Sequence, residues 1–168
     1  MKIHLSKPCR TPVFKDRRTL LRAAMRAAEL VRETCGQPDD IDGELNIILA
    51  PRNLMRRLNE EFLGHSGDTD VIAFDYEGTE RFSGEENISD EGAVKGEIYL
   101  CLPVAVDAAV EHGTSVNFEV LLYIVHGLLH LAGFDDHSDQ ERQRMRQLEQ
   151  QVMSAVETEF GAVDVFHD

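Results

Sequence analysis

The sequence predicts an α+β fold in which a small, four-stranded mixed sheet is covered by about five helices. Short apolar segments of strand length alternate with longer segments whose apolar residues recur every three or four positions, the patterns of strands and amphipathic helices. The third and fourth strand segments follow each other with no helix between them, which favours an antiparallel pair. With 168 residues, 42% of them hydrophobic, we expect residues 1–168 to form one domain with a core.

The N-terminal part of the chain predicts two strands, each followed by a helix. Residues 1–5 alternate weakly and predict a short first strand. Residues 15–35 carry apolar side chains at helical spacing with arginines between them, which predicts an amphipathic helix. Residues 45–50, read LNIILA, predict the second strand. Pro51 suits the first turn of a second helix, whose apolar residues recur every four positions as far as Phe62.

Two further strands are predicted over residues 71–76 and 95–102. Between them lies a polar, glycine-rich stretch with many acidic residues. Because polar segments of this kind cannot bury enough apolar surface to pack, we interpret residues 77–93 as a mobile acidic loop.

The last three predicted elements are helices. A short helix follows Pro103 and runs through Val110, and a longer one spans about residues 117–132. The motif S-x-x-E that begins at Ser138 is a capping box, which predicts that the final helix covers residues 139–160.

A metal site is predicted at residues 126–137, HGLLHLAGFDDH, which contain three of the seven histidines. On a helix, His126 and His130 lie on one face one turn apart, so both imidazoles can point at one ion. Gly133 is suited to end that helix, because glycine adopts the left-handed conformation at little steric cost. The chain must then turn before Ser138, and this turn can return a third ligand to the two histidines.

The chemistry expected of such a site is hydrolysis. One zinc ion with three protein ligands and an open fourth position lowers the pKa of a bound water to about 7. The sequence disfavours a peptidase of the H-E-x-x-H type, because its general base would follow the first histidine, where this chain has Gly127. The base is left open between Asp135, Asp136, Glu97, Asp70 and the substrate itself.

The charge of the chain is uneven. The formal net charge is -14, which disfavours nonspecific binding of nucleic acid. Residues 1–60 nevertheless carry 12 Lys and Arg against 8 Asp and Glu, whereas residues 61–168 carry 5 against 23. A polyanion would therefore have to meet the N-terminal part of the chain or the metal.

Cysteine usage and hydropathy predict a cytoplasmic protein. The three cysteines, Cys9, Cys35 and Cys101, are odd in number and far apart, which argues against a disulfide framework. The first ten residues have no apolar signal-peptide core, and the longest apolar run, residues 120–132, is too short to span a membrane.

The stretch HGLLHLAGFDDH resembles the H-G-x-L-H-L-x-G-Y-D-H signature of the bacterial YbeY family of metal-dependent endoribonucleases that mature ribosomal RNA. Two further segments agree with that family in the same order, so the resemblance covers about residues 45–155. The matching residues outside the signature are Asn59, Phe62, Thr69, Asp70, Val71, Ile72 and Phe74 in the first segment, and Gly96, Glu97 and Ile98 in the second.

The resemblance implies a single-strand-specific endoribonuclease that uses a metal-activated water in 16S rRNA 3′-end maturation and in ribosome quality control. Its partners would be ribosomal RNA and the small ribosomal subunit, with no membrane and no small-molecule cofactor. His126 and His130 carry over as zinc ligands. The family's third histidine falls by count on Asp136, and His137 follows one position later. We predict His137 as the third ligand and Asp136 as a catalytic residue.

The chain departs from the family in the segment that supplies basic groups. At the family's arginine, lysine, aspartate and proline, this sequence has Leu63, His65, Ser66 and Asp68. Arg56 and Arg57, one or two helical turns upstream, are the predicted substitutes as contacts to substrate phosphates, with Arg81 in the predicted mobile loop as an alternative.

Two other functions fit the sequence. One is a ribosome-assembly factor in which the zinc is structural and no bond is cut, which the acidic composition and the missing arginine favour. The other is a metallohydrolase of a different substrate, such as a peptide, which Gly127 disfavours.

Overall fold

The computed structural model describes residues 2–6, 17–36, 43–76 and 94–161. The predicted mobile loop at residues 77–93 lies outside these described residues, as does Cys9. In chain order the elements are β1 (Lys2–Ser6), α1 (Arg17–Cys35), β2 (Glu44–Ala50), α2 (Arg52–Leu58), a π-helical turn (Asn59–Leu63), β3 (Val71–Asp75), β4 (Val94–Cys101), α3 (Leu102–His112), α4 (Val116–Leu131) and α5 (Asp139–Phe160).

The four strands form one mixed sheet in the order β1-β2-β4-β3. β1 pairs with β2, and β2 with β4, in parallel, whereas β3 runs antiparallel to β4 with Ala73 opposite Ile98. The predicted α+β class, with a four-stranded mixed sheet and five α-helices, is therefore confirmed, and so is the antiparallel pair.

The main core lies on the sheet face that α1, α4 and α5 cover. Side chains alternate between the two faces of a strand, and Leu45, Ile47 and Leu49 of β2 enter this core together with Ile98 and Leu100 of β4. Helix α4 is buried along most of its length, and this explains its long apolar run.

A close contact between α4 and the sheet occurs at Gly127. A Cβ atom at this position would lie 2.8 Å from Cγ2 of Ile98, so any larger residue would push the helix away from β4.

Within the described parts of the chain, no single helix is long and apolar enough to cross a membrane, although α3 and α4 meet these criteria as a pair bent by 118°.

A smaller core lies on the opposite face of the sheet. It contains Ala50, Met55, Ile72 and Cys101, with Met55 coming from α2. The sequence predicts one regular helix from Pro51 to Phe62, but the regular part ends at Leu58 and a π-helical turn follows. Asn59, which begins that turn, is buried and its side-chain amide donates to the carbonyl of Gly67 at 3.4 Å.

Candidate metal centre

Helix α4 brings His126 and His130 together, as the four-residue spacing predicts. Ser115 caps the start of α4 by accepting a hydrogen bond from the backbone of Phe118. The Nε2 atoms of the two histidines are 2.9 Å apart, and both side chains are partly buried. Two nitrogens bound to one tetrahedral zinc at about 2.05 Å would lie roughly 3.3 Å apart, so a small movement would allow both to bind one ion.

The turn after α4 adds Asp136 to this pair. Its Oδ2 atom is 3.7 Å from Nε2 of His126 and 4.0 Å from Nε2 of His130. The three candidate ligand atoms all lie within 4.8 Å of one another. Two imidazoles and a carboxylate are a common zinc-binding set in catalytic sites, so the residues present fit this metal.

The structure does not bring His137, the predicted third ligand, to the histidine pair. Its side chain is 83% exposed, and its Nε2 atom is 3.1 Å from Oδ1 of Asp135. Asp136, predicted as a catalytic residue, occupies the place expected for the third ligand. His137 instead belongs to a second, more exposed group of candidate metal ligands, Asp135, Asp136 and His137, whose ligand atoms also lie within 4.8 Å of one another.

Arg142 of α5 holds the backbone of the turn in this arrangement. Its Nη1 atom donates to the carbonyls of Asp136 at 3.0 Å and His137 at 2.9 Å, and its Nη2 atom donates to Asp139. Ser138 and Glu141 form the predicted capping box at the start of the same helix. Contacts to α5 therefore fix the path of the turn, which directs the side chain of Asp136, and not that of His137, toward the histidine pair.

The two histidines differ in their electrostatic surroundings. Burial opposes protonation of His126, but a hydrogen bond to Glu149 and the charges of Glu149, Asp70 and Asp136 outweigh it, so the pKa of His126 is raised. Burial and the neighbouring His126 lower the pKa of His130. A neutral imidazole is the form that binds a metal, which suits His130 in particular.

Two other carboxylates were candidates for the general base, and they lie in different places. Asp70 precedes β3, and its negative charge acts on His126 and on buried Tyr123. Glu97 instead accepts hydrogen bonds from the hydroxyls of Tyr76 at 2.9 Å and Tyr99 at 3.1 Å. Glu97 alternates in β4 with Ile98, which packs on α4, so it belongs to the opposite sheet face.

Arg56 and Arg57, the predicted phosphate contacts, are both exposed on α2. The Nε atom of Arg56 lies 2.6 Å from Oδ1 of Asp68, and Nη1 of Arg52 lies 2.5 Å from Oδ2 of the same residue. The hydrogen bond from Arg56 and the charges of both arginines lower the pKa of Asp68, although some desolvation opposes this shift. Arg56 therefore forms an ion pair with Asp68, the residue at the position of the family's proline.

The position of the family's arginine is an apolar part of the surface. Leu63 is 49% exposed, and neighbouring Phe62 is 63% exposed. The Phe62 ring packs edge to face on Phe74 with the centroids 5.2 Å apart, and Phe74 packs similarly on Tyr99. Aromatic packing, rather than positive charge, thus characterises this segment.

Packing at Gly127 also disfavours the peptidase arrangement. A Cβ atom there would meet Ile98 of β4 at 2.8 Å, so this position faces the sheet. A glutamate in its place could not be accommodated without separating α4 from β4. The H-E-x-x-H arrangement is therefore disfavoured by the packing of α4 on β4 as well as by the absence of the glutamate.

Glu149, whose Oε1 atom is 2.5 Å from Nδ1 of His126, is a site residue that was not predicted from the sequence. The sequence nevertheless contains a signal for this contact, which is the position of Glu149 on α5. Glu149 lies four residues after Met145 and three before Val152, both of which are buried on the apolar stripe of α5. An acidic residue beside a buried stripe needs a polar partner, which pointed to a contact with another element.

This chain is similar in sequence to known proteins over most of its length. A sequence profile described as Endoribonuclease YbeY matches residues 11–157. A protein of that name from Salinibacter ruber is 41% identical over 113 residues, which are 67% of this chain and 69% of the relative. One from Chlorobium phaeovibrioides is 35% identical over 139 residues, covering 82% and 83% of the two chains.

A solved structure is also similar. The solution structure of TM1509 from Thermotoga maritima has a TM-score of 0.57 and 25% sequence identity to this chain. The similarity covers 94% of this chain and 91% of the Thermotoga protein.

Proposed function

Since this chain belongs to the YbeY family, we propose that it is a metal-dependent endoribonuclease that cuts single-stranded RNA. The proposed ligands of the metal are His126, His130 and Asp136. The observation that carries the proposal is the convergence of two imidazoles and a carboxylate on one point beside α4. The curated relatives bear the name Endoribonuclease YbeY, which supplies the reaction class.

The proposed metal is one zinc ion held by Nε2 of His126, Nε2 of His130 and Oδ2 of Asp136. When bound, zinc supplies Lewis acidity and lowers the pKa of a coordinated water to about 7. Three protein ligands leave a fourth position open, as catalytic zinc sites require. If Asp136 binds the metal, it is not free to act as the catalytic base.

Asp70 is then our candidate for the group that accepts the proton of the attacking water. It is exposed, and its charge acts on His126, so it lies close enough to the site to influence it. The backbone amide of Val71 donates to the Asp70 carboxylate at 2.8 Å, which orients this side chain.

The proposed substrate is the precursor of 16S rRNA, cut near its 3′ end in the small ribosomal subunit, with a role in ribosome quality control. The resemblance of HGLLHLAGFDDH to the family signature supports this substrate. Maturation of bacterial ribosomal RNA would place the protein in the cytoplasm. Arg56 and Arg57 are the proposed contacts to RNA phosphates, since both are exposed on α2.

Cleavage of a single-stranded RNA from the small-subunit precursor tests the proposal. The His126→Ala variant should lose more activity than the ~10–100-fold typical of changes outside the ligand shell, because it removes a ligand. Exposed His4 on β1 provides a matched control, and His4→Ala should cut like the wild type. Equal cleavage by His126→Ala and wild type, with both folded, would contradict the proposal.

A second candidate is a ribosome-assembly factor in which zinc is structural. Exposed Leu63 in place of the family's arginine favours this function, because that surface lacks a group to grip a phosphate. Zinc-loaded protein that binds small-subunit particles but leaves single-stranded RNA intact would favour the assembly factor. Cleavage that depends on His126 would exclude it.

A further inference from the structure

The contact between His126 and Glu149 joins the candidate metal site to the last helix. From α5, the Glu149 carboxylate reaches across to α4, and its Oε1 atom lies 2.5 Å from Nδ1 of His126. We propose that Glu149 is a positioning residue that holds His126 with its proton on Nδ1 and its Nε2 lone pair directed at the metal. This inference rests on the metal site proposed above.

The two ring nitrogens of His126 face different groups. Nδ1 faces Glu149, whereas Nε2 faces Nε2 of His130 at 2.9 Å and Oδ2 of Asp136 at 3.7 Å. An ionised carboxylate can only accept a hydrogen bond, so the proton of a neutral His126 must be on Nδ1. Nε2 is then free to bind a metal, and the negative charge of Glu149 makes the ring a stronger donor.

The position of Glu149 suits this role better than that of a solvated surface acid. Its side chain is 15% exposed, and the preceding Leu148 is fully buried. A carboxylate at such a position is costly unless it is hydrogen-bonded, and His126 supplies the bond.

A merely structural explanation is that Glu149 and His126 only fasten α5 to α4. Glu149→Leu would then lower folding stability, because it removes one member of a partly buried pair, but it would leave zinc affinity and the His126 tautomer unchanged. The positioning role predicts the opposite for the metal, because an apolar side chain cannot accept the Nδ1 proton. Zinc affinity and the His126 tautomer therefore separate the two explanations.

The test compares Glu149→Leu and Glu149→Gln with the wild-type protein. Zinc affinity, measured by competition with a chromophoric chelator, should fall about 10–100-fold in Glu149→Leu. It should fall less in Glu149→Gln, which keeps an acceptor oxygen but no charge. In the metal-free proteins, ¹⁵N NMR of the ring should show the proton of His126 on Nδ1 in the wild type and a shift toward Nε2 in Glu149→Leu.

The control is Glu157→Gln, at an exposed glutamate two turns further along α5, which should leave zinc affinity and the tautomer unchanged. Wild-type zinc affinity in both Glu149→Leu and Glu149→Gln would overturn the positioning role, as would a wild-type His126 with its proton on Nε2. If Glu149→Leu fails to fold, Glu149→Gln decides alone through the same two measurements. Zinc binding without RNA cleavage by the wild type would contradict the proposed catalysis instead, so the two failures are distinguishable.

Discussion

Asp136 and His137 are adjacent in the chain but lie in different surroundings. The Asp136 carboxylate faces His126 and His130, whereas the His137 ring is turned toward Asp135 and solvent. Either side chain can bind zinc, so chemistry alone does not choose between them. The choice depends on the direction in which the turn presents each side chain, and the hydrogen bonds from Arg142 to both backbone carbonyls fix that direction.

The identity of the third ligand can be tested with Asp136→Ala and His137→Ala. We expect Asp136→Ala to lower zinc affinity by more than about 10-fold, because it removes a ligand oxygen, and His137→Ala to bind zinc like the wild type. Competition with a chelator measures both affinities under identical conditions. Loss of zinc in His137→Ala with retention in Asp136→Ala would show that the turn rearranges when the metal binds.

Helix α5 supports the candidate site at three points along one element. The helix begins with a capping box at Ser138. Further along it, Arg142 donates hydrogen bonds to the turn that carries Asp136, and Glu149 contacts His126. Arg142 and Glu149 are seven residues apart, close to two helical turns, so they lie near the same face of the helix. Because a helix is rigid over this length, its first turn and its contact with α4 are positioned together.

The charge on Glu141 should make the start of α5 sensitive to acid. The backbone amide of Ser138 donates to the Glu141 carboxylate at 2.7 Å, and this bond lowers the pKa of Glu141. A carboxylate with a lowered pKa in the folded state stabilises the protein above its ordinary pKa of about 4.3, and this contribution is lost as the pH falls through the lower, folded value.

The variant Glu141→Gln isolates this charge, since glutamine can also complete a capping box. We expect it to unfold at a lower urea concentration than the wild type at pH 7, and the difference to shrink as the pH falls below about 4.3. Glu157→Gln, on the exposed side of the same helix, is the matched control. A difference between Glu141→Gln and wild type that stays constant from pH 7 to pH 3 would contradict this account.

At the scale of the whole molecule, the negative net charge opposes binding of RNA, the substrate of an endoribonuclease. The formal net charge is -14, so binding of an RNA backbone requires a local concentration of basic groups or a metal ion at the candidate site. Two of the available arginines, Arg52 and Arg56, are paired with Asp68. Arg57 is exposed on the same helix and is the proposed phosphate contact next to that pair.

The salt dependence of RNA binding tests this proposal. Replacing Arg57 with alanine should weaken binding of single-stranded RNA of any sequence and reduce the slope of log K against log salt by about 0.7, the value for one lost phosphate contact. Arg146→Ala, at an exposed position of α5, should leave the slope unchanged. Binding measured by fluorescence anisotropy at several salt concentrations supplies both slopes. Equal slopes for Arg57→Ala and wild type would remove Arg57 from the RNA-binding surface.

The sequence by itself determined the features that depend on local backbone geometry. The order of the elements, the pairing of His126 with His130 and the capping box of α5 follow from fixed spacings along a strand or helix. The antiparallel pairing of β3 with β4 follows from the lack of a predicted helix between them. The signature at residues 126–137 also led to the family to which the chain belongs.

Only the tertiary structure decided which side chains from different elements meet. Glu149 lies 23 residues after His126, and the two touch because α5 packs on α4. The place of Asp136 beside the histidines depends on how Arg142 holds the turn, and Gly127 is required by the approach of α4 to Ile98. Local spacing cannot predict such contacts, because the packing of whole elements against one core sets their distances.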